Sequence, residues 1–140
     1  MINQKNFLTF ILVLMIILVV GIIFMIDRQT ETTGPSMILG EAKVTKIEIF
    51  IMESFPVQVT VIAWGEFPNS CTKIDTVTTR LEGDTFFITV TTSRPYDKCA
   101  LVITPFEEVI PLEAAGLKAG IYTVNVNGVI STFELKVDNV

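Results

Sequence analysis

Residues 7–26 read FLTFILVLMIILVVGIIFMI, an apolar run interrupted only by the uncharged Thr9 and Gly21. A run of this kind leaves few fates for the chain that carries it. Twenty helical residues rise about 30 Å, the thickness of a bilayer's hydrocarbon core. A single lipid-exposed segment satisfies its own backbone there only as a helix. One transmembrane helix over 7–26 is therefore expected. Residues 1–6 carry Lys5 and the α-amino group, whereas Asp27 and Arg28 close the run without net charge. The positive flank places the N-terminus in the cytoplasm and the rest of the chain outside. A cleaved signal peptide has a shorter apolar region, about 7–15 residues, and small residues at its cleavage site. Phe24, Met25 and Ile26 are too large for such a site, and no cysteine follows closely enough for a lipobox. A buried globular helix fits less well, because no face of the segment is strongly polar.

Residues 27–40, DRQTETTGPSMILG, are Thr-rich and carry Gly34-Pro35, which reads as a flexible tether. The domain expected after it spans 41–140, an ordinary single-domain length. From residue 41 onward there are 8 Lys/Arg and 13 Asp/Glu, which accounts for the whole net charge of −5. An acidic surface repels phosphate backbones, so no nucleic-acid partner is expected. The chain has no histidine, the commonest general base and metal ligand.

Period-2 alternation dominates the 41–140 region. Ile47, Ile49 and Ile51 alternate with Lys46, Glu48 and Phe50, and Val57, Val59, Val61 and Ala63 alternate with Gln58, Thr60 and Ile62. Residues 73–81 are Thr-rich and extended, and Phe86, Ile88 and Val90 share one parity. Cys99–Thr104 reads as a short strand that Glu107–Leu112 continues, followed by strands at 122–126 and 129–137. Asn127-Gly128 is a strong hairpin signal, since a type I′ turn needs positive φ at both central residues. Glu82-Gly83-Asp84 marks a second hairpin. About seven to eight strands at roughly ten-residue spacing predict an all-β, immunoglobulin-like antiparallel β-sandwich, with a small barrel as the alternative. Leu117-x-x-Gly120-x-Tyr122 resembles a tyrosine corner; a half-buried strand tyrosine is the other reading, and either makes Tyr122 structural.

Cys71 and Cys99 are the only cysteines. If consecutive strands alternate in direction, the 64–72 and 93–98 loops share one end, and a disulfide ties them together. Lys73 and Lys98 lie near enough in sequence to leave a reactive thiol as the alternative. The same alternation places the bridged loops and the Asn127-Gly128 turn at the end where the tether enters, facing the membrane, with Val140 pointing away.

No catalytic machinery is expected. Without histidine, no Ser-His or Cys-His nucleophile forms. Ser70-Cys71-Thr72-Lys73 matches S-x-x-K, but at a loop-to-strand junction and without the partner motifs of Ser-Lys acyl enzymes. Glu107 and Glu108 are adjacent and point to opposite faces of a strand. Asp75, Glu82 and Asp84 lack the spacing of a calcium loop, and no Gly-rich phosphate loop occurs. No cofactor or metal is expected. The residues suited to contact are aromatic and cationic: Phe67 in the WGEFPNS segment, and Arg94, Tyr96 and Lys98 in SRPYDK. Trp64 is expected to plug the sandwich end over the disulfide with Phe67, and Arg94 to be either a contact residue or a solvated one.

Five segments carry a family resemblance: MESFPVQV at 52–59, Cys71-Thr72-Lys73-Ile74, SRP at 93–95 before Cys99, PFEEVIPL at 105–112 and AGIYTVNVNGV at 119–129. From Glu48 to Asp138 the chain resembles small extracytoplasmic domains of bacterial envelope proteins. The resemblance implies an immunoglobulin-like secreted module and transfers no functional residue. The expected function is an interaction or structural module, anchored in membrane lipid by 7–26 and partnered with an envelope or membrane protein. The alternative is an inhibitor or ligand-capturing domain that uses the 93–98 loop.

Overall fold

The computed structural model describes residues 4–26 and 36–140, with helix side chains described over 6–22. The chain divides into two units, Met1–Gly34 and Pro35–Val140. The first holds one helix, α1 (Gln4–Ile26). Its apolar side chains, Leu8, Phe10 and Ile17 among them, are exposed on every side of the axis. Among the described residues, no helix is long and apolar enough to cross a membrane. The segment 7–26 lies within α1, and the side chains of 23–26 lie outside the described ones.

The second unit holds eight strands: β1 (Met37–Glu41), β2 (Lys43–Met52), β3 (Gln58–Phe67), β4 (Lys73–Glu82), β5 (Thr85–Pro95), β6 (Thr104–Leu112), β7 (Gly120–Val126) and β8 (Val129–Leu135). They form two sheets, a β-sandwich. One sheet runs β1-β5-β7-β8 with β4 on the other side of β5, and the other runs β2-β3-β6. The alternating residues read from the sequence fill the space between them. Val59, Val61 and Ala63 of β3 face Phe86, Ile88 and Val90 of β5 and Tyr122, Val124 and Val126 of β7 in one buried cluster. Phe133 stacks on Tyr122 at 5.5 Å between centroids and closes the cluster from β8.

Four expectations change. The last residues of the expected tether, 37–41, form β1, paired antiparallel to β5 from Met37↔Pro95 to Glu41↔Thr91. The chain then crosses between sheets at Ala42, whose N–H donates to the Val90 carbonyl. The remaining tether residues, 27–35, lie outside the described ones. Cys99–Ile103 is not a strand. β3 ends at Phe67, paired with Thr104, so residues before 104 have no strand left to bond. The sandwich is not wholly antiparallel, because β5 and β7 pair in parallel. Strand direction alternates only from β2 onward, since β1 and β4 both run antiparallel to β5, and β6 leaves for the other sheet, which makes β5 and β7 neighbours with the same direction. Finally, the Asn127-Gly128 turn is not at the disulfide end. β7 stops at Val126↔Ile88, while β5 continues to Pro95. The turn therefore lies halfway up β5.

Two prolines sit inside β6, Pro105 and Pro111. β6 is an edge strand with β3 as its one partner among the described residues, so a missing N–H facing outward costs no ladder bond.

Candidate binding site at the disulfide end

β3 and β5 both finish at one end of the sandwich, and their following loops meet there. Cys71 and Cys99 are bonded, with Cα atoms 5.8 Å apart. The Ser70 N–H donates to the Ala100 carbonyl at 3.1 Å, so the two loops are also joined through backbone. Asn69 organises the first loop. Its buried side-chain oxygen accepts from the backbone N–H groups of Cys71 and Thr72 and from the Thr72 hydroxyl, at 3.0–3.1 Å. An Asx residue in this role replaces the backbone partners that a turn leaves unmet. The chain enters the domain at the same end, where the Tyr96 N–H donates to the Ser36 carbonyl.

The candidate residues separate. Phe67 is buried and stacks on Phe106 at 4.6 Å, so it is a packing residue and not an exposed contact. Trp64 does not plug the sandwich end. It has the opposite parity to Val61, Ala63 and Phe67 and lies on the outer face of the β2-β3-β6 sheet. There its indole N–H donates to Glu107 at 2.8 Å, and Lys46 sits 4.9 Å from the ring centroid. Lys46, Trp64 and Glu107 are directly opposite one another across three strands. Tyr96 is 76% exposed. Lys98 is exposed, and its backbone N–H donates to the Asp97 carboxylate.

Arg94 differs from its neighbours. Phe86, Ile88, Val90 and Thr92 are the inward-facing residues of β5, and Arg94 continues their parity. It is half-buried at the mouth of the sandwich, opposite Ile38 of β1. Among the described residues it forms no ion pair. A cleft of about 510 Å³ opens at this point, with Arg94 and Thr92 on one side and Phe67, Pro68 and Ile103 on the other. The cleft also reaches β1 from Ile38 to Glu41. Gly40, opposite Thr92, adds no side chain there.

Beyond the cleft, Leu101, Val102 and Ile103 form an exposed apolar run, with Leu101 at 90%. The sequence predicts a strand here, and an apolar stretch of that kind carries no signal of a surface. Apolar content alone does not separate an exposed loop from a short buried strand. Among the described residues, no group of three or more His, Cys, Asp or Glu is placed to hold a metal ion.

Of the residues expected to be structural, Tyr122, Asn127 and Gly128 lie in β7 and the hairpin turn after it. The Tyr122 hydroxyl donates to the Lys118 carbonyl at 2.9 Å, the bond of a tyrosine corner. Asn127 takes φ +45° and Gly128 φ +92° in the β7–β8 hairpin.

The profile of the ORF11 beta-sandwich domain matches residues 61–135, over half of the chain and most of both sheets. The chain belongs to the ORF11 beta-sandwich domain family. Similar proteins include the "uncharacterized 10.2 kDa protein in HgiCIIM 5'region" of Herpetosiphon aurantiacus. It is 37% identical over 93 residues, which cover 66% of this chain and 98% of that protein. The counterpart in the HgiBIM 5' region of the same organism is 39% identical over 83 residues, 59% of this chain and 100% of that one. No solved structure matches the chain. ORF11 membership agrees with the β-sandwich expected from the strand pattern, and the family match extends over Arg94 and both cysteines.

Proposed function

We propose that this chain is a membrane-anchored, extracytoplasmic interaction module, an immunoglobulin-like sandwich that serves as an accessory subunit of a membrane or envelope complex. The observation that carries the contact surface is the exposed apolar run Leu101–Ile103 at the disulfide-bridged end, where the exposed Tyr96 also lies. Exposed apolar side chains and an exposed aromatic at one end of a rigid frame are what a docking surface requires. The Cys71–Cys99 bond supports an oxidising compartment, because such bonds are rare where thiols are kept reduced. The unbroken apolar run of 7–26 supports the anchor. The tyrosine corner supports the immunoglobulin-like topology.

A photo-crosslinking amino acid placed at Leu101, compared with one at the outward-facing Thr78 of β4, tests this in intact cells. The expected outcome is a discrete adduct with one membrane protein from position 101 and none from 78, with the chain in the membrane fraction. Recovery of the chain in the soluble fraction, or equal adducts from both positions, overturns the reading. A second reading, a ligand-capturing domain, rests on the half-buried Arg94 at the cleft, which forms no ion pair among the described residues.

A further inference from the structure

We infer that the cleft beside β1 takes an added strand: an extended peptide that lies along the free edge of β1 and seats a carboxylate on Arg94. This rests on the reading of the domain as an interaction module and names the chemistry of what it holds.

Three features converge on it. The first is the edge. β1 has β5 as its one partner among the described residues, because β7 and β8 stop halfway up β5 and leave the far side of β1 open. Ile38, Leu39, Gly40 and Glu41 all border the cleft. Consecutive strand residues point to opposite faces, so all four border one space only if the cleft runs along the strand's backbone edge. Unpaired backbone N–H and C=O groups along that edge are the donors and acceptors that a peptide strand completes.

The second is charge. Arg94 is the cation of the inner face, half-withdrawn from water and without an ion pair among the described residues. The other cation at the cleft, Lys43, already faces Glu66 at 3.9 Å. Glu41 stands three residues from Ile38, about 10 Å along β1. It therefore lies at the opposite end of the strand from Arg94 and does not compensate it. A guanidinium offers planar paired donors that fit a carboxylate.

The third is the walls. Phe67, Pro68 and Ile103 give the cleft an apolar side, and Gly40 leaves its floor open beside the Thr92 hydroxyl. A side chain next to the bound carboxylate has apolar surface to bury. The carboxylate belongs to a peptide C-terminus or to an internal Glu or Asp, and both present the same group to Arg94.

Fluorescence anisotropy on the full chain in mild detergent tests the inference, with three labelled hexapeptides of alternating Val and Thr. One has a free C-terminal carboxylate, one is amidated with an internal Glu, and one is amidated and neutral. At least one acidic peptide is expected to bind about tenfold or more tightly than the neutral one. Arg94→Ala brings acidic and neutral peptides to the same affinity, Arg94→Lys keeps part of the difference, and Lys136→Ala, a matched charge loss, changes nothing. Methylation of alternate amides of the tighter peptide abolishes its binding, as strand addition requires. Equal binding of acidic and neutral peptides, no binding of any, an unaffected Arg94→Ala variant or unaffected N-methylated peptides each overturns the inference. Competition by hexanoate as tight as the peptide's own binding also overturns it, since the site is then one for a free acid. The Leu101 crosslink in the Arg94→Ala chain keeps the two readings apart: it persists if only the strand-addition inference fails.

Discussion

Asn127 does more than turn a hairpin. Its amide nitrogen donates to the Ala42 and Val90 carbonyls at 2.9 and 2.8 Å, and its side-chain oxygen accepts from the Val90 N–H at 2.9 Å. Along β5, the partner strand changes from β7 to β1 at this height, and the Asn127 side chain fills the gap between them as a strand would. Asn127→Ala leaves the Ala42 carbonyl and the Val90 N–H short of a partner, while the Val90 carbonyl keeps the Ala42 N–H, and is expected to lower stability by about 2–4 kcal/mol in urea unfolding. Asn127→Gly keeps the positive φ easily but loses the same bonds, so it separates the two contributions. Gly65 is a second residue whose identity is forced. A Cβ there would overlap the Lys43 carbonyl oxygen and the Phe106 ring, where β2 bulges between Val44 and Lys46. Gly65→Ala is expected to cost about 1–3 kcal/mol by thermal unfolding of the purified chain. A cost within about 0.5 kcal/mol of zero would show that β2 and Phe106 move aside freely. Neither role is legible in sequence. Asn127 was read from its hairpin motif, while its bonding to Ala42 depends on residues 85 positions apart.

The elements were legible where alternation was strong and lost where pairing partners decided. β3 and β5 carry inward residues at every second position and were found within a few residues of their ends. β1 has no alternation, since MILGE is exposed at four of its five positions, and it is a strand because β5 has an open side. Residues 99–103 show the converse, an apolar run with no neighbouring strand. The disulfide joins two of these end segments across a separation of 28 residues. Closing such a loop in the unfolded chain corresponds to about 3–4 kcal/mol on the chain-entropy account. A Cys71→Ser, Cys99→Ser chain is expected to lose about that much in urea unfolding, and an unchanged midpoint would place the loops' stability in Asn69 and the backbone bonds instead.

At the scale of the molecule, the C-terminal tail closes the end opposite the disulfide. Asn139 is 1% exposed, and its side chain accepts from the Val57 N–H and donates to the Val57 and Ala114 carbonyls. Beside it, Asp138 accepts from the Ala119 N–H and from Lys118, each at 2.9 Å. The Ala119 bond first, and Lys118 second, hold its carboxyl below its ordinary value of 3.8. A lowered folded-state value means that the unfolded chain binds more protons as the pH falls. The stabilisation is therefore complete above 3.8 and disappears as the pH drops through the folded-state value. Urea midpoints of the native and Asp138→Asn chains are expected to differ by a constant amount near neutrality and to converge in strong acid. A difference that persists unchanged at the acid end would assign the effect to something other than this carboxylate. The site at the other end was legible in its chemistry and not in its geometry. Arg94 and Tyr96 stand out by residue type, while the cleft that Arg94 borders requires β1.

By itself the sequence determined the apolar segment, the all-β class, the parity of the core residues and the pairing of two cysteines. Each of these follows from local periodicity or from there being only one partner to choose. Tertiary structure alone decided the parallel β5–β7 pair, the crossing at Ala42, the burial of Phe67 and the placement of Trp64 on an outer face. Those depend on which strand arrives beside which, and on where each strand runs out. Arg94 belongs to both: its inward parity is written in β5, and the cleft it borders is set by where the strands around it end.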